Sequence, residues 1–133
     1  MAAIIDFGKS VPSSFSQSAS LPVRRLPNST ILGQFGVAVG ANGLVLLEAT
    51  IGLQNNTASA SNLIFTIVRN AVQIFTARSS PLIGDSYEVV HLSFTDSGIP
   101  AGYYAYALVV SAIGTGNPPV IIGPLVFSGM SVS

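Results

Sequence analysis

Residues 102–114 read GYYAYALVVSAIG, and residues 62–70 read NLIFTIVRN. Both stretches alternate with the period of two that β-strands impose on their side chains. In the first, Tyr104, Tyr106, Leu108 and Val110 share one face, while Tyr103, Ala105, Ala107 and Val109 share the other. In the second, Leu63, Phe65 and Ile67 oppose Ile64, Thr66 and Val68. A sheet with one wet face sets polar residues against apolar ones, yet both faces are apolar here. A small sandwich buries only its inner faces. The outer faces of these strands therefore need a neighbour, and a second copy of the chain is the simplest one.

Outward from these two stretches the same grammar continues. β-rich runs are expected at 31–39, 44–53, 62–69, 71–77, 87–95, 102–113 and 119–128. Turn signals separate them: Gly40-Ala41-Asn42-Gly43, Gln54 to Ser59, Asn70-Ala71, Ser79-Ser80-Pro81, Asp96 to Gly102, and Gly114 to Pro119. Asn42-Gly43 between two apolar runs is a hairpin signal. Glycines and β-branched residues oppose a helix throughout. The expected fold is all-β, an antiparallel sandwich with a jelly-roll-like arrangement spanning 31–133. Residues 1–30 read differently. Six of the eleven residues from Ser10 to Ser20 are serine, and Pro12, Pro22 and Pro27 punctuate the segment. That composition suits an extended, flexible arm, with Arg24-Arg25 as a solvated link.

Composition narrows the function. Of the 133 residues only 8% are charged, against about 25% in an ordinary domain. Five basic and five acidic side chains cancel, leaving no basic footprint for nucleic acid and no self-repulsion against association. The window 31–53 is long enough to cross a bilayer, but Gln34, Asn42, Glu48 and five glycines break it as a membrane helix. The start of the chain lacks the basic region and long apolar run of a signal peptide. There is no cysteine, so disulfides and thiolate metal sites are excluded.

Reactive groups are sparse. His91 is the single histidine and sits inside the strand pattern EVVHLSF. Glu88 lies three positions away, which places it on the opposite strand face. Residues 3–10, AIIDFGKS, approach a phosphate-loop pattern but carry Ala3 where the first glycine belongs, and serine-rich chain follows where a helix is required. Asn28-Ser29-Thr30 and Asn55-Asn56-Thr57 fit a glycosylation sequon without a secretory signal. Glu48 is expected either as an exposed edge residue or in an ion pair with Arg69 or Arg78. The expectation is no enzyme: no catalytic residue, no cofactor and no metal.

LVLLEATIGLQ at 44–54, NLIFTIVRNAVQIFTAR at 62–78 and IPAGYYAYALVV at 99–110, taken in that order, resemble the small jelly-roll-like β-sandwich proteins of Firmicutes spore surfaces and endospore appendage fibres. The resemblance implies a structural sandwich subunit whose N-terminal connector docks into the next subunit, at a spore surface or extracellular fibre, assembled from the mother-cell cytoplasm. The cysteines that cross-link subunits of the best-known appendages are missing here. The apolar tip Ile4-Ile5-Asp6-Phe7 on a serine-rich tether matches such a connector, since an apolar extended segment can add to a sheet edge or fill a groove. Ile4, Ile5 and Phe7, together with Tyr104 and Tyr106, are the expected subunit-contact residues. The expected partner is a further copy of the chain, joined by a spore-surface anchoring protein. The alternatives are a carbohydrate- or receptor-binding sandwich at a fibre tip, using loops 54–61, 78–86 or 114–119, and a viral or phage jelly-roll protein.

Overall fold

The computed structural model describes residues 3–15, 20–57, 62–80, 84–114 and 116–133. Nine strands are present: β1 (Ile4–Ser13), β2 (Leu21–Pro22), β3 (Thr30–Val39), β4 (Leu44–Thr57), β5 (Asn62–Arg69), β6 (Val72–Ser79), β7 (Gly84–Asp96), β8 (Gly102–Ile113) and β9 (Val120–Val132). No helix occurs among the described residues.

The strands form two antiparallel sheets packed face to face. One runs β1-β9-β4-β7, with β2 also on β9, and the other runs β3-β8-β5-β6. The pairing is nested: β5 with β6, β4 with β7, β3 with β8 and β1 with β9. A long antiparallel ribbon rolled over itself in this way is a jelly roll. The all-β sandwich expected from the sequence is therefore the fold.

The innermost turn shows why. Asn70 and Ala71 both have positive φ, 47° and 68°, as a two-residue type I′ hairpin requires. Asn42-Gly43 does not make the expected hairpin. Only Asn42 takes positive φ, and the Gly43 N–H closes on the Gly40 carbonyl at 3.1 Å. The chain there passes from one sheet to the other, since β3 and β4 belong to different sheets.

The core lies between the sheets, where Val37, Leu47, Ile51, Phe65, Leu108 and Phe127 are fully enclosed. Phe35 stacks on Tyr106 at 5.8 Å and meets the Phe127 ring at a tilt, 4.8 Å away. β9 skips register between Leu125 and Ile121 along β4, with Gly123 at φ 93°. Gly52 makes room for this bulge, because a Cβ there would strike the Gly123 carbonyl.

Residues 1–30 differ from the expected free arm. β1 pairs with β9 from Ile4↔Val132 to Ser13↔Leu125, and β2 continues on the same edge at Leu21↔Ile121. Residues 24–26 bond to β8: the Ala112 N–H donates to the Arg24 carbonyl at 2.8 Å, and the Leu26 N–H to the Ala112 carbonyl at 3.1 Å. Arg25, expected in a solvated link, donates through its guanidinium to the carbonyls of Gly114 and Gly116. The described parts of 1–30 thus belong to the sandwich, and residue 30 is no boundary. The cause is the free edge of β9, whose backbone groups need partners.

Candidate assembly surface

β1 is an edge strand that brings almost nothing to the core. Ile4, Ile5 and Phe7 remain 68%, 44% and 56% exposed, and Val11 is also open to solvent. Three of the five expected contact residues are therefore on the surface. Phe7 faces Met130 across β9, and Met130 faces Leu46 on β4. The row borders a groove of about 140 Å³ lined by Phe7, Leu46, Glu48, Ser128 and Met130. Leu44 and Val132 extend the apolar patch by one more row.

The other side of β1 lies against β3 of the second sheet. Gly8 is buried there, and a Cβ on it would run into the Phe35 ring and stand 2.8 Å from the Gly36 carbonyl oxygen. Asp6 joins the two sheets: its Oδ2 accepts from the Ala38 N–H at 2.8 Å and its Oδ1 from the Phe7 N–H at 2.8 Å. These two N–H groups hold the Asp6 carboxyl below its usual pKa, Ala38 being the larger cause.

The aromatic strand β8 corrects part of the expectation. Tyr106 is 1% exposed and is an interior residue, so it cannot serve as a surface contact in this fold. Its hydroxyl donates to Asp96 Oδ2 at 2.7 Å. Tyr104 is half-buried and donates to the Pro100 carbonyl at 2.7 Å. The outward tyrosine is Tyr103, 71% exposed, whose ring lies over Gly36 of β3. Beside it the outer face of the β3-β8-β5-β6 sheet carries an apolar trough of about 430 Å³, bordered by Ile31, Gln34, Val68, Ala105, Ala107 and Val109. A second hollow of about 360 Å³ adjoins it at Val109, walled by Leu26 and Pro27. The outward residues of β5 and β8 thus line two hollows that carry no charged side chain.

Arg69 and Asp96 are structural partners of each other. Arg69 Nη1 reaches both oxygens of Asp96 at 2.7 Å, so it is not the partner of Glu48, which is exposed on β4. Asp96 pushes the pKa of Arg69 up through this hydrogen bond. Burial, then the bond to Asp96, pushes the Tyr106 hydroxyl far above its ordinary value. The three groups tie the ends of β5 and β7 to Tyr106 within β8, a linkage the sequence did not announce. His91 is exposed and approaches Thr50 Oγ1 at 3.3 Å, while Glu88 faces the other way, half-buried. Residues 4–10 of the phosphate-loop-like stretch form part of strand β1. Among the described residues no three of His, Cys, Asp and Glu gather as metal ligands, and no helix is long and apolar enough to cross a membrane. Of the loops considered for ligand binding, residues 58–61, 81–83 and 115 lie outside the described residues.

No family model matches the sequence, and no curated protein matches it. Among solved structures, the chain is similar to dimeric latent PorU from Porphyromonas gingivalis, with 10% identity and a TM-score of 0.46. The match covers 98% of this chain and 13% of that one.

Proposed function

We propose that this chain is a structural protein, a self-assembling subunit of an extracellular or spore-surface fibre. The observation that carries the reading is the exposed apolar set on β1. Ile4, Ile5 and Phe7 sit on a sheet edge, where a second copy can cover them. The uncharged outer face around Ala105 and Ala107 supports the same reading, as does zero net charge. The work of such a subunit is mechanical, and its partner is another copy of itself.

The test is the state of the purified protein at micromolar concentration. Sedimentation velocity should give species far heavier than 13.7 kDa, and negative-stain microscopy should give filaments. A single 13.7 kDa species that persists for days would refute the proposal.

A further inference from the structure

We infer that the outer face of the β3-β8-β5-β6 sheet is a two-fold pairing face, on which a second copy of the chain is seated sheet against sheet. The inference rests on the self-assembly reading and names one surface that serves it. Three observations point to a second copy as the occupant.

The first is charge. β3 and β8 hold no charged side chain, and the one on β5, Arg69, is bonded to Asp96. On β6 only Arg78 is charged, and β6 is the outermost strand of the sheet. In a two-fold contact each patch meets a patch of its own kind, so a charge near the middle would face its own sign. A charge-free face suits its own copy. The opposite sheet differs, since Lys9 and Glu48 are exposed there on either side of Ser128.

The second is relief. β8 turns Ala105 and Ala107 outward, where they line the trough of about 430 Å³. The face rises at both ends of this strand. At one end stands Tyr103, 71% exposed. At the other, the Ser111 hydroxyl donates to the Asn28 carbonyl at 2.8 Å, and Leu26 and Pro27 wall the hollow of about 360 Å³. Tyr103 and Ser111 are equally far along the strand from Ala107. A two-fold axis crossing β8 at Ala107 therefore sets Tyr103 of each copy over the hollow of the other, an aromatic anchor in a pocket. The small Ala105 and Ala107 let the two sheets approach to about 10 Å. Arg78 stands in register with Ile64 and Ser111, so the same axis keeps the two Arg78 side chains at opposite ends of the contact.

The third is area. At ~3.3 Å per residue and ~4.8 Å between strands, the four strands present roughly 600 Å². Two such faces in full overlap hide roughly 1,200 Å², where stable specific interfaces begin. A small molecule would cover only part of that area and meet no charged group to orient it. The pair closes on itself. Growth beyond it falls to the apolar corner of Ile4, Phe7, Leu46 and Met130 on the opposite sheet, so that two unlike contacts alternate along a fibre.

The chain has no cysteine, so a single introduced thiol reports the contact. Gln34 is exposed on the edge strand β3 and pairs with Ala107, and the axis thus brings the two Gln34 positions together at the rim. Gln34→Cys should be joined by a bismaleimide about 10 Å long, the spacing of packed sheets. The product is a covalent dimer at twice the chain mass by denaturing electrophoresis. Ser93→Cys, exposed on β7 of the opposite sheet, sets the background. Ala105→Glu places a charge against the partner and should raise the dissociation constant of the pair, read by sedimentation equilibrium, by about a hundredfold or more. Ala105→Ser should leave that constant nearly unchanged, and circular dichroism should keep its all-β form in both variants. If the wild type assembles but Gln34→Cys links no better than Ser93→Cys, or Ala105→Glu pairs as tightly as the wild type, the pairing face is overturned while self-assembly stands through another surface. If the wild type stays a monomer, the self-assembly reading fails, and the inference with it.

Discussion

Replacing both Ile5 and Phe7 by serine should leave the sandwich folded and weaken each junction between copies by a calculable amount. Full burial of an Ile or Phe side chain stabilises by ~1.5–3 kcal/mol. Ile5 is already 56% covered and Phe7 44% covered within one chain, from exposures of 44% and 56%. About half of that energy is thus left for an interface, roughly 0.75–1.5 kcal/mol per residue, or about 1.5–3 kcal/mol for the pair. At about 1.4 kcal/mol per factor of ten, the junction should weaken by about 10- to 150-fold. The core loses nothing directly, because neither side chain belongs to it. Circular dichroism should keep its all-β form, while the concentration for assembly, read by sedimentation velocity, should rise by that factor. A double variant with an unchanged melting curve and unchanged assembly at the wild-type concentration would refute the role given to these side chains.

The bond between Asp6 and Ala38 gives a pH dependence. The folded carboxyl has a lowered pKa, so its stabilisation is present above the unfolded value near 3.8 and is lost as pH falls through the lower folded value. Hydrogen exchange of β1 amides should therefore speed up in acid for the wild type, and Asp6→Asn should be fast and insensitive over the same range. Ala71→Gly should stabilise the chain by about 0.5–1 kcal/mol, since Ala71 sits at φ 68° where an L side chain is strained; a lower melting temperature would contradict this. Gly52→Ala should destabilise by about 2 kcal/mol or more, because its Cβ meets the Gly123 carbonyl in a packed core; an unchanged denaturant midpoint would show that the β9 bulge yields.

Strand periodicity made most of the sandwich legible. The runs expected at 62–69 and 102–113 coincide with β5 and β8, because doubly apolar alternation with clear turns leaves no other register. β4, β7 and β9 outlast their expected runs, since backbone pairing continues where side chains such as Gln54 and Asn55 become polar. β1 was missed as a strand of its own sheet. Its serines and Pro12 read as linker, and an edge strand held by its ladder needs no apolar face to reveal it. Choosing the inner face of β8 was a different difficulty. The period groups Tyr106 with Leu108 and Val110, and Tyr103 with Ala105 and Ala107, but does not say which group turns inward. Volume was the available signal: the bulkier set fills the core, and the alanine set lies under the trough. The Arg69–Asp96–Tyr106 cluster had no local signal, since it joins residues of three strands that only the fold brings together.

The nesting of the strands sets β1 apart from the other strands. The innermost pair, β5 with β6, closes across two residues. Each outer pair encloses the ones before it, and the last joins Ile4 to Val132 around nearly the whole chain. Loop-closure entropy rises with the enclosed length, and a late, long-range pairing forms only after the rest is in place. β1 therefore closes the longest loop of the fold, against a core cluster that contains none of its side chains.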